Sequence, residues 1–224
     1  YHTPAGETDA LSHISFQVPK GSFIAIVGPS GCGKSTILNL ICGLLKPEEG
    51  QILLNGTSLP EKPEHIGYML QKDHLFEWRS VYKNILLGLE TQKRITPKKK
   101  AYIDRLMVTY GLDSFRKARP SQLSGGMRQR AALIRTLALE PELLLLDEPF
   151  SALDYQTRLQ VSDDIGTIIR REGKTAVLAR RPARVKSIID IDLGLAERTP
   201  LSSRNAPLFK TYFNQIWEEL NSHA

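Results

Sequence analysis

Gly28-Pro29-Ser30-Gly31-Cys32-Gly33-Lys34-Ser35 satisfies the pattern G-x-x-x-x-G-K-[ST], and Thr36 continues it. Its setting is what constrains the fold. Phe23 to Val27 ahead of it is an unbroken apolar run, of the kind buried on both faces of a parallel sheet. Ser35 to Leu45 behind it carries Ile37, Leu38, Leu40, Ile41 and Leu44 at helical spacing, with Lys46-Pro47 as the stop. In a strand, loop and helix of this order, the glycines let consecutive backbone N–H groups turn inward around a β-phosphate. The helix N-terminus adds the positive end of its dipole, and Lys34 bridges β- and γ-oxygens. Ser35 supplies a hydroxyl for Mg²⁺. Gly28 to Thr36 is therefore the expected seat of the phosphates of ATP.

The rest of the chain alternates strand and helix signals, which predicts an α/β fold. Ile14 to Val18 alternates as a strand; Gly50 to Leu54 reads as a strand entering a tight turn at Asn55-Gly56; Ile66 to Leu70 is a short strand ending at Gln71. A polar-rich helical stretch runs from about Val81 to Ala138, broken near Thr96-Pro97 and Arg119-Pro120, and has the look of an insert. Leu143 to Leu146 is a second fully apolar strand, Gln156 to Arg171 a helix, and Thr175 to Leu178 the start of a third core strand.

At 224 residues the chain suits one sizeable domain, and the longest purely aliphatic run, Leu143 to Leu146, is far short of a membrane span. Work at a membrane would go through partners. The net charge of +6 admits an acidic partner: nucleotide phosphates, nucleic acid or an anionic leaflet. Only Lys98-Lys99-Lys100 and the group Arg180, Arg181, Arg184, Lys186 cluster, however, and neither is interleaved with aromatics as a nucleic-acid platform would be. Cys32 and Cys42 lack metal or disulfide spacing, which fits a reducing compartment, and Cys32 is most simply a small filler of the loop. Tyr1 to Asp9 contains neither a charged start nor an apolar signal core, so secretion is not expected.

Asp147 and Glu148 follow the Leu143–Leu146 run, at the C-terminal end of a buried parallel strand where ligands of open α/β sheets collect. Asp147 is placed to hold Mg²⁺ through water, and Glu148 to polarise an attacking water. Between the two motifs lies Pro120-Ser121-Gln122-Leu123-Ser124-Gly125-Gly126-Met127-Arg128-Gln129-Arg130. Ser124, Gly125 and Gly126 offer a hydroxyl and N–H groups at another helix N-terminus, a second phosphate site with no phosphate of its own.

Leu123 to Met127 is an LSGG-type signature, and with the two motifs above the chain resembles the ATP-binding cassette (ABC) proteins over nearly its whole length. The resemblance implies a RecA-like core with an antiparallel β-subdomain, 1–71 and 137–224, and an inserted helical subdomain, 72–136. It implies a homodimer closing head to tail on two Mg-ATP, with Ser124 of one copy over the γ-phosphate bound by the other. Gln71 falls at the Q-loop position, implying contact with Mg²⁺ and the lytic water, and Glu148 activates that water. Ser151-Ala152-Leu153-Asp154 looks like the loop that crosses the dimer interface, and Tyr1 falls where the family places the aromatic that stacks on adenine.

A single cassette without a coiled-coil arm resembles a transporter ATPase working with separate transmembrane permease subunits. Such a subunit sits peripherally on the cytoplasmic face of the inner membrane and meets a solute-binding protein only indirectly. GPSGCGKST, Gln71 to Trp78, the stretch from Leu123 to Asp154 and Arg181-Pro182-Ala183-Arg184 resemble the nitrate/sulfonate/taurine importer group. Glu77 departs from it, standing where that group usually has proline. The competing class is a nucleic-acid-linked ABC ATPase drawing on the positive charge; direct nucleic-acid binding is not expected. A P-loop kinase would need an acceptor site and gives no reason for Leu123–Met127.

A second departure concerns length. The family places a strand ending in a histidine that contacts the γ-phosphate, then a helix, then another strand. Here Lys174 to Leu178 begins the first, Ala179-Arg180-Arg181-Pro182 resembles the far end of the second, and no histidine stands between His74 and His223. Adjacent parallel strands need a crossover of about a dozen residues or more. Roughly twenty residues are thus expected to be absent near 177–180. Omission from the written sequence is favoured over true deletion, which would destabilise the core severely.

Overall fold

A computed structural model describes residues 2–3, 6–7, 11–28, 32–59, 65–149, 155, 175–179, 187–196 and 198–221. The Tyr1, Pro29, Ser30 and Gly31 positions, the Ser151–Asp154 segment and the Gln156–Arg171 helix expectation lie outside these residues.

Among the described residues, four parallel strands form the sheet that carries the candidate site. They are β3 (Phe23–Ile26), β6 (Ile66–Met69), β7 (Leu143–Asp147) and β8 (Thr175–Ala179), in spatial order β3-β8-β7-β6. Leu143 to Asp147 is buried along its full length, as a strand covered on both faces requires. The register places Ile26 and Asp147 both opposite Ala179, so the phosphate-loop strand and the acidic strand end level with each other on either side of β8. Two antiparallel ribbons complete the strands: β1 (His2–Thr3) with β2 (Gly6–Glu7), and β4 (Leu53–Leu54) with β5 (Thr57–Ser58). The β4–β5 turn is built on Asn55 and Gly56, both at positive φ, which is what Asn-Gly supplies at low strain.

Helix α1 (Lys34–Ile41) packs Leu38 against Ile66, Leu143 and Leu145 on one face of the sheet. The other face, through Leu144 and Leu146, joins a larger core with α2 (Val81–Thr91), α3 (Pro97–Thr109) and α4 (Gly125–Leu137). These helices start where capping chemistry directs. Ser80, Thr96 and Ser124 are N-caps whose hydroxyls accept from the N–H groups of Lys83, Lys99 and Met127, and Pro97 occupies the first turn of α3. The expected break at Arg119-Pro120 opens a single 3₁₀ turn, Pro120–Gln122, and α4 begins only after Ser124. The last described elements are α5 (Pro200–Asn205) and α6 (Phe209–Asn221), the latter carrying Phe209, Phe213 and Trp217 in a stacked row.

Two strand expectations are corrected. Ile14 to Val18 keeps the alternation in burial, with Ile14, Phe16 and Val18 half-buried and Ser15 and Gln17 exposed, but it has no regular ladder. Gly50 to Leu54 narrows to Leu53–Leu54.

Candidate nucleotide site

The site is assembled where β3, β6 and β7 deliver their C-terminal ends. Lys34 is the first residue of α1 and only 4% exposed. Gly33 before it caps the helix at φ +88°, a conformation that favours glycine, and no side chain caps the helix. No acidic residue occupies the first turn, so the helix itself places no carboxylate at its positive dipole end. Cys32 and Thr36 are half-buried beside it and Ser35 is exposed.

Asp147 closes β7, 7% exposed, and Glu148 follows at φ +43°, left-handed backbone that a non-glycine residue adopts at a cost of about 1 kcal/mol or more. That turn aims Glu148 back at the loop. Its Oε1 lies 3.9 Å from Lys34 Nζ, and its Oε2 accepts a hydrogen bond from Gln71 Nε2 at 3.2 Å. Lys34, Gln71, Asp147 and Glu148, separated by up to 114 positions in sequence, thus converge. Ser124, by contrast, stands at the head of α4, exposed, with Gly125 exposed and Gly126 buried behind it.

Tyr68 was not among the expected site residues. Its hydroxyl lies 3.4 Å from Asp147 Oδ2 and 3.2 Å from Asn39 Oδ1, and its single proton can serve only one of them at a time. Burial first, then the Asp147 carboxylate, pushes the Tyr68 phenol well above its ordinary value, so it acts as a neutral donor. The signal available in the sequence was a lone hydroxyl in an otherwise apolar strand.

The donor set suits Mg²⁺. Among the described residues there is no cluster of three or more His, Cys, Asp or Glu side chains fit to cage a metal. One buried carboxylate at Asp147 and one exposed hydroxyl at Ser35 instead match a small hard cation that keeps waters and borrows substrate phosphate oxygens.

Residues 11–151 match the family described as ABC transporter. The chain belongs to that family. It is accordingly an ABC ATP-binding subunit with an ATPase fold. YtlC, an uncharacterized ABC transporter ATP-binding protein of Bacillus subtilis (strain 168), is 43% identical over 240 residues, taking in 99% of this chain and 92% of the relative. The sulfate/thiosulfate import ATP-binding protein CysA of Mycobacterium tuberculosis (strain ATCC 25618 / H37Rv) is 47% identical over 156 residues, 68% of this chain and 44% of that protein. Among solved structures, the dimeric post-hydrolysis state of the ATP-binding cassette MJ0796 bound to ADP and Pi aligns with a TM-score of 0.67. It is 30% identical, over 77% of this chain and 80% of that one. CbiO1 of Clostridium perfringens, part of the ABC transporter complex cbiONQ, aligns with a TM-score of 0.70 at 28% identity, over 81% of this ABC chain and 75% of that one. Among the described residues no helix is long and apolar enough to cross a membrane.

Proposed function

We propose that this ABC subunit powers import of a small anionic or organic solute, such as nitrate, a sulfonate, taurine or a similar compound, through separate membrane subunits. The observation that carries the ATPase reading is the meeting of Gln71, Glu148 and Lys34 at the end of β7. The importer reading draws support from the likeness to CysA, work within a transporter complex from the likeness to CbiO1, and the solute class from the resemblance of the motif stretches to the nitrate/sulfonate/taurine group. Glu77 accepts a hydrogen bond from Ser121 N at 3.0 Å, beside the exposed Phe76–Trp78 ring pair, whose centroids are 4.6 Å apart. That patch is the surface we assign to a membrane partner, with a solute-binding protein engaged only through it.

In the reading that follows, Lys34 and the N–H groups of the Gly28–Thr36 loop hold the phosphates, and Ser35, Asp147 and Gln71 hold Mg²⁺. When bound there, Mg²⁺ would supply charge neutralisation on the phosphates. Glu148 accepts the proton of the attacking water, and Gln71 orients that water through its amide. Ser124, Gly125 and Gly126 are assigned to the γ-phosphate of a second copy, which makes the homodimer the working unit; the dimeric MJ0796 cassette supports this. Tyr1 is assigned to adenine stacking, and 72–136 to a helical unit that passes motion to the membrane subunits. The test is Glu148→Gln: ATP binding kept, turnover nearly abolished and closed dimers accumulating, where Lys34→Ala loses nucleotide binding itself. Undiminished hydrolysis by Glu148→Gln would refute the assignment, and failure to co-purify with a hydrophobic membrane protein would refute the transport reading.

We also infer that about twenty residues are absent after β8. The YtlC alignment runs to 240 positions yet holds only about 222 residues of this chain, a shortfall of roughly eighteen. The relatives MJ0412 of Methanocaldococcus jannaschii and BruAb2_1123 of Brucella abortus give the same shortfall of roughly eighteen. β3 has β8 as its one neighbour among the described strands. An intact mass of 25.1 kDa would establish a true deletion, and one about 2 kDa heavier would establish omission.

A further inference from the structure

The loop after Gln71 is held by the signature segment at several points. Arg135, near the C-terminal end of α4, donates from Nη2 to Asp73 O at 2.7 Å and from Nη1 to His74 O at 2.8 Å. Arg128, seven residues earlier and so on the same helix face, brings Nε within 3.3 Å of Asp73 Oδ2. Asp73 Oδ1 meanwhile accepts from Leu75 N at 3.1 Å, closing the turn. Farther along, Glu77 accepts from Ser121 N, and the Arg119 guanidinium reaches Trp78 O.

The clasped backbone is strained. His74 sits at φ +46°, left-handed for a residue with a Cβ, and the carbonyl it turns outward is the one Arg135 holds. Two residues before Asp73 is Gln71, whose amide reaches Glu148. At the other end of the helix that carries both arginines is Ser124, about 16 Å from Arg135 at the rise of an α-helix. The span between is stiff, because Ala131, Ala132, Leu133, Ile134 and Leu137 are all fully or nearly fully buried. A displacement at Ser124 therefore reaches Asp73 and His74 as rigid-body motion of α4.

We propose that Arg135, assisted by Arg128, is a positioning residue for hydrolysis: it ties α4 to the Asp73–His74 turn, so that engagement of Ser124 by nucleotide sets where Gln71 lies against Glu148. The forked guanidinium is what the geometry needs, since two successive carbonyls are gripped by two nitrogens of one planar group. A lysine offers one point charge in its place. Burial pulls the Arg135 guanidinium below its ordinary value, countered by the nearby Asp73 carboxylate, yet it remains charged at any physiological pH. This inference rests on the assignment of Gln71 and Glu148 made above.

The experiment compares ATPase turnover and Mg-ATP affinity in the full chain carrying Arg135→Ala, Arg135→Lys, Gln71→Ala, and Arg135→Ala with Gln71→Ala together. A clasp that acts through Gln71 predicts that Arg135→Ala lowers kcat about ten- to a hundredfold, with ATP affinity held within about twofold. Arg135→Lys recovers part of the loss, and the double variant is no worse than Gln71→Ala alone. Turnover of Arg135→Ala within about twofold of the parent, or a double variant showing the product of the single losses, overturns the proposal while Glu148→Gln still abolishes hydrolysis. Normal turnover by both Gln71→Ala and Glu148→Gln instead overturns the site assignment, and the proposal falls with it. Should Arg135→Ala not fold, amide exchange of residues 72–75 decides with Arg135→Lys: ATP-induced protection present in the parent and lost in the variant supports the clasp, and equal protection overturns it.

Discussion

Replacing Gly67 by alanine should destabilise the protein, although Gly67 lies within a strand where alanine is conformationally acceptable. A Cβ built there meets Pro141 Cγ at 2.7 Å, Thr136 Cγ2 at 2.8 Å and Pro141 Cβ at 3.2 Å. Neither neighbour can swing away. Pro141 is a buried ring, and Thr136 is anchored by its hydroxyl donating to Ala132 O at 3.0 Å. Relief therefore requires β6 to retreat by about 0.7 Å from the α4–β7 junction, against its ladder with β7. Overpacking of this kind costs about 1–3 kcal/mol, and the smaller entropy of the unfolded alanine chain offsets about 0.4–1 kcal/mol of it. The net loss is about 1–2 kcal/mol, or a Tm lower by about 2–8 °C for a chain of this size. Gly88→Ala is the internal control. It lies inside α2, the three atoms nearest its Cβ would all belong to the Leu139 side chain, at 3.0 Å and beyond, and both residues line a cavity of about 310 Å³ into which Leu139 can turn. With a helix-interior gain of about 0.8–1 kcal/mol, Gly88→Ala should raise Tm by about 1–3 °C. Scanning calorimetry of the two variants reads both signs. A Gly67→Ala protein as stable as its parent would refute the claim that backbone proximity, and not chance, put glycine in β6.

Asn84 is fully buried, accepts from Phe76 N and donates toward the carbonyls of Phe76, Arg79 and Ser80, so Asn84→Ala should cost about 3 kcal/mol, read by urea denaturation. Glu142 is held below the ordinary carboxylate range chiefly by its hydrogen bond with His65, at 2.5 Å, with the Asn55 amide adding to it. Because its folded value is depressed, the stabilisation is in place above its ordinary value of 4.5 and is lost as pH falls through the folded value. His65→Ala should flatten the fall in stability below about pH 4.5, and equal acid slopes in the two proteins would reject this.

The acidic strand and the Ser124 helix start were legible because each is written in a few consecutive residues, whereas the Ser80 and Thr96 caps were not singled out. Ser80, Thr96 and Ser124 cap helices by contacts three residues away, and Leu143–Leu146 declares its burial by composition alone. Ile14–Val18 failed for the opposite reason. Its alternation correctly forecasts which side chains face inward, but a strand also needs a neighbour's backbone at the right height, and no local pattern encodes that. The same non-locality hid Tyr68 and Arg135. Nothing in the spacing of Tyr68 and Asp147, or of Arg135 and His74, announces that the folded sheet and α4 bring them into contact.

The level ending of β3, β8 and β7 gives the site a built-in ruler. Neighbouring strands are about 4.8 Å apart, so the backbone that feeds the phosphate loop and the backbone that ends in Asp147 are separated by two such steps, about 10 Å. Neither can slide along its axis without breaking a ladder with β8. On the proposed assignment, in which the loop holds the phosphates and Asp147 the Mg²⁺, the sheet itself sets the distance between those two roles.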